Sequence, residues 1–190
     1  VEVRYLTLTE EEGYLPNIEK LKKLVDSKTK LITLSNPNNP TGAIIEKERL
    51  SQIAAVAGDA GAYVLSDEIY RGFADDYTYS IVDLYEKGIV TSSASKVFGL
   101  SGSRVGWIVV NDHDLFKRFE NRRSYDTICN GYFNELVSAI SIENANKVLE
   151  RNKQLVQANR AILDQWLAKE TGFTCNNKSY TTTAFVKYKY

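Results

Sequence analysis

Residues 91–107 read TSSASKVFGLSGSRVGW, a run of small and hydroxylated residues with two positive charges, Lys96 and Arg104. Backbone amides, serine hydroxyls and cations can converge on one anionic group, and phosphate is the anion that such a set suits. A lysine among small residues in a partly desolvated pocket loses part of its preference for the ammonium form, so its amine can condense with a carbonyl. The stretch predicts a phosphate-binding loop with a reactive lysine. A solvated lysine in a serine-rich surface loop is the alternative at this point.

Composition narrows the class of protein and of partner. With 190 residues, of which 43% are hydrophobic and 25% charged, the chain can bury a substantial core. The 24 basic residues balance the 24 acidic ones, so we expect small-molecule or protein partners rather than nucleic acid or a membrane. Cys129 and Cys175 lack metal-ligand spacing, and we expect free thiols, no metal site and a cytoplasmic location, with one disulfide between the two cysteines as the alternative.

Short apolar runs alternate with helical stretches along the first half of the chain. We predict strands at 3–8, 31–34, 62–66 and 89–93, with helices near 16–25 and 46–59 between them. This alternation indicates βαβ units and a parallel sheet, to which residues 105–110 add an antiparallel strand. Helices are predicted from 112 onward and from 132 to about 169, with a break near 144–150, and residues 181–190 begin a second sheet.

Polar side chains follow three successive strands of the predicted sheet. Residues 36–39 follow the first strand, Asp67 and Tyr70 the second, and Ser93 and Lys96 the third. Because the carboxyl ends of parallel strands open onto one edge, we expect these side chains to lie close together. That convergence favours a functional Lys96 over an ordinary surface lysine.

Three strings carry a family resemblance. NPNNPTG at 36–42, SDEIY at 66–70 and SASK at 93–96, the last followed by the arginine of GSRVGW at 102–107, together resemble the fold-type-I pyridoxal-phosphate enzymes, specifically the class I/II aminotransferases. The resemblance implies an α/β fold with a mostly parallel sheet and helices on both faces. It places residues 1–145 in a large cofactor-binding domain and 146–190 at the start of a smaller α+β C-terminal domain.

The length and composition of the chain bear on this resemblance. The chain is short for a whole enzyme of the family and contains no methionine, so we expect the middle portion of a longer subunit. The resemblance also implies a homodimer.

The resemblance implies a role for each residue of the motifs. Lys96 would form the Schiff base with the cofactor and move the substrate proton, Asp67 would pair with the pyridinium nitrogen, and Tyr70 would hydrogen-bond the ring 3′-oxygen. The residues that it assigns to cofactor binding are Asn39, Asp67, Tyr70, Ser93, Ser95, Lys96 and Arg104. Within this set, Asn39 would share the 3′-oxygen, and the serines and Arg104 would hold the phosphate.

The resemblance favours an aminotransferase that moves an amino group between an amino acid and a 2-oxo acid. Lyases, cyclases and oxidases use the same scaffold, and so do effector-sensing domains of some transcription regulators. A dinucleotide-binding dehydrogenase is weakly supported, because no G-x-G-x-x-G follows a predicted strand. The motifs leave the substrate open. Arg122, Arg123, Tyr125 and residues 75–77 are candidate specificity elements, although an ordinary surface position is the simpler reading of each.

Overall fold

The computed structural model describes residues 1–74, 79–175 and 182–189. The helices are α1 (Ile18–Leu24), α2 (Lys47–Asp59), α3 (Ile81–Leu84), α4 (His113–Asp126), α5 (Tyr132–Glu143) and α6 (Ala145–Leu167). The strands are β1 (Leu31–Ser35), β2 (Tyr63–Asp67), β3 (Gly88–Ser93), β4 (Gly106–Val110), β5 (Phe173–Cys175) and β6 (Val186–Tyr188). Short 3-10 turns cover Arg71–Phe73 and Ser101–Ser103. No helix within these ranges is both long and apolar enough to span a bilayer.

Four strands form the main sheet in the order β1-β2-β3-β4. β1, β2 and β3 run parallel, and β4 pairs with β3 in the antiparallel direction. Helical segments connect the parallel strands, as the length of such crossovers requires. The predicted α/β class, the mostly parallel sheet and the antiparallel last strand are confirmed.

α2 packs on one face of this sheet, and the residue that caps α4 is bonded to a side chain of the other face. On one face α2 buries Leu50, Ile53 and Ala57 against Val64 of β2 and Val90 of β3. Side chains alternate along a strand, so the neighbouring Tyr63 points to the other face. There its hydroxyl donates a 2.6 Å hydrogen bond to Asp112, the residue that caps the N-terminus of α4.

The second half of the chain is helical and ends in a small separate sheet. α5 and α6 meet at Asn144, whose side chain donates to the Ile140 carbonyl, so the predicted break is confirmed. β5 and β6 form an antiparallel pair, and β6 lies within the tail that we predicted to be extended. The α5–α6 junction coincides with the predicted boundary between residues 145 and 146, which stays a prediction.

The strand predicted at 3–8 is wrong. Residues 1–9 form no regular element, and Arg4 instead donates to the Leu24 carbonyl and to Asp26 beyond the end of α1. Alternating residues favour a strand only where a neighbouring strand supplies backbone partners, and no described strand pairs with this segment.

Candidate functional site at the carboxyl ends of three strands

The turn after β1 is held by two of its three asparagines. The Asn36 side chain is buried and exchanges two hydrogen bonds with the backbone of Ile45, at 3.1 and 2.9 Å. Asn38 donates to the Ser35 hydroxyl and accepts from the Thr41 hydroxyl at 2.7 Å. Asn39 is exposed, so of the three it is the side chain that the turn presents to solvent.

Asp67 and Tyr70 lie beside that turn. The Asp67 carbonyl accepts a 2.9 Å hydrogen bond from the Asn36 amide, which joins the ends of β1 and β2. One carboxylate oxygen of Asp67 accepts from the Ile69 amide at 3.1 Å. Tyr70 is 4% exposed, and its ring packs in a small apolar cluster with Phe73 and Val97. The second strand end therefore carries a half-buried carboxylate and an anchored phenol.

Lys96 lies in the turn after β3, beside Tyr70. Its Nζ atom is 5.9 Å from the centroid of the Tyr70 ring. The Gly99 amide donates to the Lys96 carbonyl, and the Leu100 amide donates to the Ala94 carbonyl, both at 3.0 Å. The side chain of Lys96 is exposed, so the prediction that it lies in a partly desolvated pocket is wrong for this chain. The lysine projects beyond the edge of the sheet, where the described residues do not enclose it.

The residues expected to bind phosphate lie at the end of β3 and shortly before β4. The Ser93 hydroxyl accepts from the Ser95 amide at 3.2 Å, and the Ala94 amide donates to the Val105 carbonyl at 3.0 Å. This bond places Arg104 just beyond the last pair of the ladder. Arg104 is exposed, donates to the Ser101 carbonyl at 3.0 Å and has a φ of 55°, a conformation that residues other than glycine seldom adopt.

Glu68 belongs to the same strand end, although it is not among the site residues predicted from sequence. Its carboxylate is buried and accepts from the Ser80 hydroxyl at 3.0 Å and from the Ile81 amide at 3.2 Å. Arg71 approaches its other oxygen at 3.4 Å. Burial raises the pKa of Glu68 above the ordinary value of 4.5, against the lowering effect of these three partners. The sequence signal for Glu68 is an acidic residue between Asp67 and Tyr70, but the sequence does not show that this residue pairs with α3.

The candidate specificity residues are not drawn to the strand ends by any described contact. Tyr125 is 81% exposed, and Arg122 pairs with Asp126 of its own helix at 2.9 Å. Arg123 is exposed, and residues 75–77 lie outside the described residues.

The edge thus presents the carboxylate of Asp67, the phenol of Tyr70, the amine of Lys96 and the amide of Asn39, with hydroxyls and a guanidinium near the end of β3. Within the described ranges no group of three or more histidine, cysteine or acidic side chains could hold a metal ion. Such a set suits an organic ligand that combines a basic ring nitrogen, a carbonyl and an anionic group.

Comparison with known proteins identifies relatives along the whole described chain. The family described as aminotransferase class I and II matches residues 1–187. A probable aspartate aminotransferase of Methanocaldococcus jannaschii is 30% identical over 165 residues, which cover 78% of this chain and 44% of that protein. Capreomycidine synthase of Streptomyces vinaceus is 26% identical over 184 residues, which cover 95% of this chain and 47% of that protein.

The solved structures agree with this match. The crystal structure of a PLP-dependent aminotransferase from Streptococcus suis has a TM-score of 0.93 at 39% identity, and the match covers 98% of this chain and 50% of that one. The chain therefore spans about half the length of the proteins it matches.

Proposed function

Because the chain belongs to the family of class I and II aminotransferases, we propose that it carries the cofactor-binding part of a pyridoxal-phosphate-dependent aminotransferase. The substrates would be an amino acid and a 2-oxo acid. The observation that carries the proposal is the shared edge of the sheet, where Lys96 lies 5.9 Å from the Tyr70 ring and Asp67 ends the neighbouring strand.

The side chains of this edge fit pyridoxal phosphate in number and type. Among the described residues, no donor bonds the second carboxylate oxygen of Asp67. Within the same residues, neither the Tyr70 hydroxyl nor the Lys96 amine has a hydrogen-bond partner. A carboxylate, a phenol and an amine with unused capacity match a ring nitrogen, a ring hydroxyl and an aldehyde. Asn39 would share the ring hydroxyl with Tyr70.

The proposed chemistry divides among three of these residues. When bound, pyridoxal phosphate supplies an electron-withdrawing ring that stabilises negative charge at the amino acid Cα. Lys96 would hold the cofactor through its amine and would move the proton that leaves Cα. The Asp67 carboxylate holds a proton on the ring nitrogen, because an adjacent negative charge favours the protonated form of that base. Tyr70, fixed by its buried ring, orients the cofactor through its hydroxyl.

The hydroxyls and the guanidinium after β3 would hold the phosphate. Ser93 is the last residue of β3 and Ser95 lies in the turn after it. Arg104 precedes Val105, whose carbonyl accepts from the Ala94 amide between the two serines. The left-handed backbone at Arg104 supports a binding role, since such conformations concentrate at ligand-binding sites. Arg104 already donates to Ser101, and its remaining N–H groups can reach a second acceptor.

Borohydride trapping tests the proposal at Lys96. The full gene product that contains these residues is incubated with pyridoxal phosphate, reduced, digested and examined by mass spectrometry. We expect the label on the peptide that contains Lys96, its loss in Lys96→Ala and its retention in Lys117→Ala, which removes an exposed lysine of α4. A wild-type protein without label at Lys96, or a Lys96→Ala variant labelled as the wild type is, refutes the assignment.

A second reaction on the same scaffold is a separate candidate, because a relative that covers 95% of this chain is named a synthase. The fate of the amine separates the two. Transfer of the amino group to an added 2-oxo acid supports the aminotransferase. Release of ammonia, or conversion of the amino acid without any 2-oxo acid, supports the second candidate.

We also propose a homodimer and a cytoplasmic location. Exposed apolar side chains on α5, namely Tyr132, Phe133, Leu136, Val137 and Ile140, offer surface that an interface between subunits could cover. The free thiol of Cys129 suits a reducing compartment. Light scattering of the eluting protein gives the mass of the assembly, and a fluorescent fusion gives the location.

A further inference from the structure

We propose that Asn152, near the middle of α6, is a positioning residue for Lys96, an inference that rests on the function proposed above for that lysine. Asn152 is 7% exposed, and its amide nitrogen donates a 2.8 Å hydrogen bond to the Val97 carbonyl. Val97 follows Lys96 directly. A helix 55 residues further along the chain therefore holds the turn that carries the reactive amine.

The turn needs this contact because its own backbone supplies no donor for the buried Val97 carbonyl. Gly99 donates to the Lys96 carbonyl and Leu100 to the Ala94 carbonyl, which closes the turn on itself. Val97 is 5% exposed, so water has little access to its carbonyl. A buried carbonyl without a donor is unfavourable, and the Asn152 amide supplies the donor.

The surroundings of Asn152 fix its side chain. The Arg151 guanidinium donates to the side-chain oxygen Oδ1 of Asn152 at 3.0 Å, which leaves the side-chain nitrogen Nδ2 directed at Val97. Leu149 and Val156, one turn of α6 to either side, pack on the apolar cluster of Tyr70, Phe73 and Val97. One face of α6 therefore contacts the turns that carry both Tyr70 and Lys96.

Gly99 fits the same arrangement. Its φ of +71° is a backbone conformation that residues other than glycine rarely adopt. A Cβ built there would lie 3.6 Å from the side-chain nitrogen of Asn152. The turn thus passes close to Asn152. Loss of the amide should loosen the backbone on both sides of Lys96 while the sheet below it remains intact.

Amide hydrogen exchange on the apo protein tests this directly. Asn152→Leu removes the donor at similar size, and Asn159→Leu makes the same change at an exposed position of the same helix. We expect the Gly99 and Leu100 amides to exchange on the order of tenfold faster in Asn152→Leu, beyond any change in global stability measured by urea. Asn159→Leu should leave them unchanged. If Asn152→Leu does not fold, Asn152→Ala is measured in the same way.

If all protected amides exchange faster by the same factor, Asn152 stabilises the whole sheet and the positioning role is overturned. Unchanged exchange at Gly99 and Leu100 overturns it as well, because the turn then does not depend on Asn152. The rate of borohydride-trapped labelling by pyridoxal phosphate gives a second readout. We expect slower labelling of Lys96 in the Asn152 variants, and an unchanged rate overturns the inference while the proposed function stands. A wild type that is not labelled at Lys96 refutes the proposed function, and amide exchange then still decides whether Asn152 fixes the turn.

Discussion

Replacement of Glu68 by alanine should destabilise the protein through the turn that carries Asp67 and Tyr70. The Glu68 carboxylate joins the end of β2 to the start of α3 by accepting from the Ser80 hydroxyl and the Ile81 amide. Alanine removes both acceptor oxygens at once. Ser80 is 2% exposed and Ile81 is 0% exposed, so water does not readily replace the lost acceptor.

The magnitude follows from these two donors. A buried donor left without a partner costs about 1–3 kcal/mol, and relief from burying a carboxylate offsets part of the sum for two. We expect a net loss of about 3 kcal/mol in the free energy of unfolding. In a chain of this size, 1 kcal/mol lowers Tm by about 2–4 °C, so Tm should fall by about 6–12 °C.

Urea and thermal unfolding followed by circular dichroism measure the effect, with Glu86→Ala as control. Glu86 is exposed, so its replacement removes the same charge without a buried donor, and we expect a change within about 0.5 kcal/mol. If Glu68→Ala loses no more stability than Glu86→Ala, the tether between β2 and α3 does not contribute as the contacts indicate.

The charge of Glu68 also makes the stability of the protein depend on pH, and comparison with Glu68→Gln tests this. Burial raises the folded-state pKa of Glu68 above 4.5, so the folded protein binds this proton more tightly than the unfolded chain does. Wild-type stability should therefore fall, relative to Glu68→Gln, as pH rises above 4.5 through the folded pKa. A relative gain of wild-type stability over that interval would mean that Ser80, Ile81 and Arg71 outweigh burial.

Two further predictions concern the sheet beneath the site. In Gly88→Ala, the new Cβ would lie 2.9 Å from two backbone carbonyl oxygens, so the free energy of unfolding measured in urea should fall by about 1–3 kcal/mol. In the control Gly102→Ala the Cβ meets open space, and the loss should be less than about 1 kcal/mol. Tyr63→Phe removes the hydrogen bond that chiefly lowers the Asp112 pKa, so its stability deficit against wild type should shrink as pH falls from 3.8 through the folded pKa. A deficit that stays constant over that acid range contradicts this second prediction.

The parallel strands could be predicted from sequence because each couples an apolar run to a polar group at its carboxyl end. The segment at 3–8 has a similar pattern but failed, since alternation does not show whether a partner strand exists. Asn38 and Asn39 are the same residue type side by side, and only the contacts with Ser35 and Thr41 show that Asn38 holds the turn. The contacts of Glu68 and Asn152 span 12 and 55 residues, a separation that no local pattern encodes.

These long contacts share a physical cause. A strand ladder fixes its residues through backbone hydrogen bonds, but the site residues lie just past the ends of the strands, where the ladder stops. Each of the three turns also has a buried polar side chain bonded to a backbone group: Asn36 to Ile45, Glu68 to Ile81 and Asn152 to Val97. Asn36, Glu68 and Asn152 are 2%, 4% and 7% exposed, so water competes little for these bonds. The precision of the site therefore depends on three buried polar contacts outside the ladder, and apolar replacement of any of them should disorder its own turn before it unfolds the sheet.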